Sequence, residues 1–295
     1  MDIRQCRHFV AIVENGSYSR AAEAIPLSQP ALTRSIQNLE MNLGATLLDR
    51  STRGLNLTEA GKKFYARAKF ILREIERTRQ EVISNDEKAK SISLGIAPLF
   101  AGTFIPEALK RFHQYYPDVE VHIKSELFPK LISGITQGKY DLGFSNLPFS
   151  TLPESVEAHP LIDIEIVYLA SQKHPLARAK KLSLPALSEF PWAVVDEQHA
   201  NALYDYIFTQ AGMGLSPLKI KTNSLTLLKS LIATPPYITL LPIHMVNSEI
   251  ERGDIVKLHT KGAPLTRKGG LIYRKERIEN SVADALMDAL KETCS

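Results

Sequence analysis

Gln29, Thr33, Arg34 and Gln37 set two amides, a hydroxyl and a guanidinium along one outward edge of a segment that begins at Ser28. Groups of these kinds, near the start of a helix, donate to and accept from base edges in the major groove of duplex DNA. Little else in the chain is suited to bond-making chemistry. The eight histidines are scattered without metal-ligand spacing, His159 and His174 each precede proline, and neither GxSxG nor GxxxxGK[ST] occurs. Cys6 and Cys294 are far apart, so neither a disulfide framework nor a cysteine metal site is expected. No catalytic residue, metal ligand or cofactor is assigned.

The elements that must hold this edge lie on either side of it. Ser17 is placed to cap a short helix whose apolar stripe is Ala21, Ala22 and Ile25, with alanines small enough for close approach, and Pro26 stops it. Ser28 then caps a second helix with Pro30 in its first turn, where a missing N–H costs nothing. Leu32, Ile36, Leu39 and Leu43 repeat at helical spacing, which turns Gln29, Pro30, Thr33, Arg34 and Gln37 outward. Next, Arg50, Ser51, Thr52 and Arg53 precede Gly54, and Leu55, Asn56 and Leu57 alternate: a short hairpin with cations at its tip. Such a wing lies along phosphates or enters the minor groove, where Arg53 meets a strongly negative potential.

The run SQPALTRSIQNLEMNLGATLLDRSTRGLNLTEAG resembles the winged helix-turn-helix of LysR-type bacterial transcriptional regulators, without a gap from about Asp2 to Gly61. The resemblance implies base and backbone contacts from Gln29, Pro30, Thr33 and Arg34, and a wing contact from Arg53. Thr33 stands where serine is more usual and keeps the hydroxyl. With Ser28 and Gln37 on the helix and Arg50 and Thr52 on the wing, these residues form the candidate DNA-binding set. Charge agrees: up to Lys90 there are 15 Lys and Arg against 11 Asp and Glu, and afterwards 21 against 21, so the net +4 falls in the first part.

At 295 residues and 44% hydrophobic content the chain supports more than one globular core. No apolar run approaches the roughly 18 residues of a bilayer span, and MDIRQCR is too charged for a secretory signal, so a cytoplasmic location is expected.

A long helix follows, capped by Thr58 and free of Pro and Gly from Lys62 to Lys90. Phe64, Ala68, Ile71, Ile75, Thr78 and Val82 alternate spacings of four and three, a heptad seam that predicts pairing with a second copy; packing onto the chain's own C-terminal part is the alternative. A dimer would read half-sites about 34–36 Å apart or a multiple of that. The resemblance implies the same dimer and a tetramer beyond it, and RNA polymerase is a further expected partner.

After the polar segment NDEKAK, strands and helices alternate twice in series, which predicts a parallel sheet in each of two α/β lobes. The resemblance extends here through HPLA around Pro175 and ITLLP ending at Pro242, and implies a last strand and helix returning to the first lobe. The predicted fold is therefore α + α/β: a winged helix-turn-helix (1–58), a linker and dimerisation helix with hinge (59–90), and a two-lobed, periplasmic-binding-protein-like module (91–295). The first lobe takes 91–162 plus 264–295 and the second 163–263.

Open α/β sheets bind ligands beyond the carboxyl ends of their strands. That rule selects Pro98, Leu99, Phe100, Gly102, Thr103, Asn146 and Leu147 from the first lobe, and Gln198, His199, Asn201 and Asn223 from the second. They describe an apolar wall with donors but no fixed cation, suited to a small amphipathic or anionic effector. Pro235 and Pro236 replace the glycine-containing turn expected from the resemblance, leaving Tyr237 as a further candidate. Together these features predict a DNA-binding regulator whose effector alters lobe closure. The rival reading is a solute-binding protein of the same lobed architecture.

Overall fold

A computed structural model describes residues 1–49, 55–83, 91–147, 152–196, 204, 207–209, 218–261, 265–276 and 281–294. Three helices make the N-terminal core. Helix α1 (Ile3–Asn15) starts with a reciprocal cap, in which Asp2 accepts from the Gln5 N–H and the Gln5 side chain accepts from the Asp2 N–H. Helix α2 (Tyr18–Ala24) is capped by Ser17 and α3 (Gln29–Leu43) by Ser28 with Pro30 in its first turn. Leu32, Ile36 and Leu39 bury their side chains with Phe9, Ile12 and Ala21. Leu43 does not: it ends α3, where Gly44 turns the chain away, and it is 40% exposed.

Strands β1 (Leu48–Asp49) and β2 (Asn56–Leu57) pair antiparallel as the base of the wing. The Glu40 carboxylate pins that base to α3 by accepting from the Leu47 and Leu48 N–H groups at 2.6 and 3.1 Å. Thr58 caps α4 (Glu59–Ile83), accepting from the Gly61 N–H while donating to the Thr46 carbonyl. Gly61 is needed there, because a Cβ would stand 2.0 Å from the Leu47 carbonyl oxygen.

The seam predicted along α4 divides. Phe64 meets Phe9 edge-on at 5.1 Å and Ala68 is fully buried, so the first turn and a half of the stripe is buried in the chain's own N-terminal core. Further on, Ile71 is 38% exposed and Thr78 exposed, with Ile75 half-buried; the Val82 side chain lies outside those described. The helix also touches the C-terminal part: Arg73 donates to the Gln137 carbonyl at 2.9 Å and Arg67 pairs with Glu276 at 2.6 Å.

That part is built on nine hydrogen-bonded strands among the described residues. β3 (Ser91–Ile96), β4 (Glu120–Ser125) and β5 (Leu142–Asn146) are mutually parallel around β3, with α5 (Phe104–Tyr115) and α6 (Phe128–Thr136) between them in the chain. β6 (Val156–Ser171) is 16 residues long and serves both lobes. The short helix α7 (Leu184–Ser188) leads to β7 (Trp192–Val195), which lies parallel to β8 (Leu218–Thr222); α8 (Leu225–Ile232) and β9 (Ile238–Pro242) follow. After α9 (Asn247–Glu251), β10 (Ile255–Leu258) pairs with β6, β11 (Leu265–Arg274) lies between β5 and β6, and α10 (Ser281–Cys294) packs on α5.

The sheet is mixed rather than parallel, because β6 and β11 run against their neighbours. The first part of β6 pairs with β11 and its last part with β9 and β10, all antiparallel, which joins the lobes across two crossing strands. β10, α7 and α9 are each five residues or fewer, too short to leave a periodic signal. His174, of the HPLA run, is a structural staple. Its Nδ1 accepts from the Leu176 N–H, its Nε2 donates to the Pro236 carbonyl, both at 3.2 Å, and the Phe190 ring lies at 4.5 Å.

Candidate nucleic-acid interface and interlobe cleft

The N-terminal turn of α3 is presented to solvent by the core beneath it. Ser28, Gln29, Pro30, Arg34 and Gln37 are exposed and Thr33 is half-buried. Because Leu32, Ile36 and Leu39 fix the roll of α3, the remaining positions share one outer edge. Ser19 donates to the Gln29 amide oxygen at 3.2 Å, tying α2 to the start of α3, and His8 Nδ1 lies 2.7 Å from Ser35 Oγ, tying α1 to its middle. Arg50, Thr52 and Arg53 lie outside the described residues.

The second site is a cleft between the lobes, about 1050 Å³ counting the open solvent at its mouth. Pro98, Leu99, Leu127 and Phe128 form its first-lobe wall, and Leu240, Leu241 and Met245 face them from the second. Polar groups are few: Ser145, Asn146, Asn223, Tyr204 and Arg267. Of the residues selected from sequence, Pro98, Leu99, Asn146, Leu147 and Asn223 line this cleft. Gln198, His199 and Asn201 lie outside the described residues.

Four selected residues do not line it. Phe100 is fully buried behind the wall, edge-on to Phe144 at 4.9 Å and stacked on His244 at 5.8 Å. Gly102 is exposed, and Thr103 turns its hydroxyl back to the Phe100 carbonyl, because the chain enters a 3₁₀ turn at Pro98 and swings them away from the strand end. Tyr237 packs against the second-lobe core instead of projecting.

The expectation of donors without a fixed cation is corrected by Arg267. The alternation in the sequence marks the last strand only from Gly270 to Tyr273, but β11 begins at Leu265 and so carries Arg267 into the cleft. Leu127, Tyr204 and Met245 were missed as well; lobe packing brings them in from helix starts and turns. His244 ties the lobes beside the cleft, its Nε2 3.4 Å from the Leu99 carbonyl and its ring against Phe100 and Phe104. Burial pushes its imidazole below the ordinary histidine value, with the carbonyl opposing the shift.

An exposed polar helix edge with a wing, joined by a long helix to lobes around a cleft, defines a ligand-responsive regulator that binds DNA. Residues 3–62 match the bacterial regulatory helix-turn-helix protein, lysR family, and residues 85–295 the LysR substrate binding domain. The chain belongs to the LysR family of transcriptional regulators. It is 32% identical to the SDS degradation transcriptional activation protein of a Pseudomonas species, over 97% of this chain and 94% of that one. It is also 32% identical to the probable hydrogen peroxide-inducible genes activator of Streptomyces viridosporus, over 85% of this chain and 80% of that one. Among solved structures, a mutant of Corynebacterium glutamicum OxyR aligns with a TM-score of 0.58 and 26% identity, covering 99% of this chain and 92% of that one. Membership favours the regulator over the solute-binding alternative. No helix among the described residues is long and apolar enough to cross a membrane.

Proposed function

We propose that the exposed edge of α3 reads operator bases, that the wing holds the adjacent backbone, and that a small effector seated between the lobes sets the activity of the DNA-bound form. The observation that carries this reading is the exposure of Gln29, Arg34 and Gln37 on a helix whose opposite face is fully buried. Ser28, Pro30 and Thr33 complete the helix contacts, and Arg50, Thr52 and Arg53 belong to the wing. Self-association runs through the part of α4 beyond Ala68, where Ile71 stays exposed, giving a dimer and then a tetramer; RNA polymerase is the downstream partner. The energy for switching is the effector's preference for one lobe arrangement, about 1–3 kcal/mol of coupling.

The name of the Streptomyces relative speaks of hydrogen peroxide, and a thiol in the cleft would be one way to answer it. This chain has two cysteines: Cys6 is buried among the N-terminal helices, and burial pushes the Cys294 thiol up to about 11, leaving little thiolate to react. Neither lines the cleft. Non-covalent occupation of an apolar site is the mode its lining supports.

Footprinting on the DNA upstream of the chain's own gene, with and without a pool of metabolites, tests the reading. The expected result is a protected pseudo-palindrome whose affinity falls steeply with salt and shifts with one fraction of the pool. Absence of any protected site at moderate salt overturns it.

A further inference from the structure

We infer that Arg267 is the head-group anchor of the interlobe cleft and that the effector is an amphipathic monoanion, an apolar body ending in one carboxylate or sulfate. The inference rests on the proposed seating of the effector in this cleft. Arg267 is the single charged side chain among the described residues that line it, and no carboxylate is present among them. Leu127 and Phe128 on one wall and Leu240 and Met245 on the other offer a second ligand charge no partner among the described lining residues, which disfavours dianions and cations alike.

Register places a second polar group beside the anchor. Gly269 of β11 pairs with Asn146 of β5, and the Leu147 N–H donates to the Lys268 carbonyl at 2.8 Å, so Asn146 and Arg267 occupy neighbouring positions at one end of the cleft. Asn146 Oδ1 is sealed from solvent without a hydrogen-bond partner. Asn146 lines the cleft through the rest of its side chain, and a carboxamide N–H₂ there is a donor from which an oxyanion accepts while accepting also from the guanidinium. Arg267 carries five donors in a planar fork, the geometry that meets two oxygens of one carboxylate or sulfate. The apolar body then spans both walls, and the head fixes which end of the molecule enters first.

Calorimetric titration of the full-length protein with octanoate, octyl sulfate, octanol and octylammonium, all below micellar concentrations, tests this. Octanoate or octyl sulfate is expected to bind at least tenfold tighter than octylammonium, the tighter of the two identifying the head. Arg267→Met should lose at least tenfold for the anions and leave octanol unchanged; Arg267→Lys should recover part of the loss, and Arg267→Gln replaces the Met variant should that one not fold. Equal anion binding by wild type and Arg267→Gln or Arg267→Met overturns the anchor while leaving the cleft as the site. Leu127→Trp, at a partly exposed wall position, should weaken every probe, octanol included. Unchanged binding of all probes in that variant overturns the cleft itself, and absence of anion binding to the wild type overturns the ligand class.

Discussion

The guanidinium of Arg274, at the end of β11, lies over the ring of Phe70 on the linker helix, its Cζ 3.8 Å from the ring centroid. Arg274 is 5% exposed and donates from Nη1 to the Thr136 carbonyl at 2.6 Å, and burial pushes its guanidinium below the usual arginine range. Gly138 makes room: its φ is +71°, and a Cβ there would stand 2.7 Å from the Phe70 ring. Linker and first lobe are therefore joined at a desolvated cation–ring contact. Phe70→Leu keeps most of the volume and removes the ring face, so it should cost about 0.5–2 kcal/mol, with Phe70→Tyr near neutral. Denaturant unfolding of the three proteins checks this; equal losses for Leu and Tyr would assign the contact to shape alone.

Arg34→Ala should weaken operator binding by about 1–3 kcal/mol and blur preference at one base position, if the guanidinium meets a base edge. Competition between operator and random duplex measures both. The same loss on each DNA would move Arg34 to the phosphates.

How much of this was legible in the sequence differs between the two sites. The exposed edge of α3 was, because caps, prolines and an apolar stripe at helical spacing are local signals, and α2 and α3 start after Ser17 and Ser28 as those signals indicate. The first two of the six seam residues were misassigned, because Phe64 and Ala68 repeat at heptad spacing whether the surface they meet belongs to α1 or to another chain. The cleft was legible only where one strand end supplies it. Arg267 enters through the register of β11 against β5 and β6, and His244 through lobe packing, neither of which leaves a local pattern.

Beyond Ala68 the linker still offers Ile71 to a partner. Ile71→Asp places a charge in that contact and should raise the dimer dissociation constant at least tenfold, about 1.4 kcal/mol. Sedimentation velocity over a range of concentrations reads the change. An unaltered oligomer would leave the dimer to some other surface.

Acid should act on His174. Nδ1 already accepts from the Leu176 N–H, so a second proton has to displace that bond, and burial holds the imidazole below its ordinary 6.5 against the opposing Pro236 carbonyl. The unfolded chain takes up this proton near 6.5 and the folded chain only at lower pH. The contribution is therefore complete above about pH 6.5 and lost as pH falls toward the folded value, the sign expected of a depressed pKa. His8 and His244, also lowered by burial, act in the same direction. His174→Gln should be less stable above neutrality and show a shallower decline below about pH 6.5 than the wild type. Parallel declines in the two proteins would remove His174 from the acid response.

Arg267 and Arg274 belong to one strand, seven residues apart, or about 23 Å along an extended backbone. That strand is clamped by hydrogen bonds to β5 and β6, and its register shift at Gly269/Gly270 sits between the two arginines. A displacement at the cleft end of this strand has no slack loop in which to dissipate before it meets the Phe70 ring on the linker helix. The strand is thus a rod with one built-in knuckle, set between the arginine that lines the cleft and the arginine that grips the linker helix.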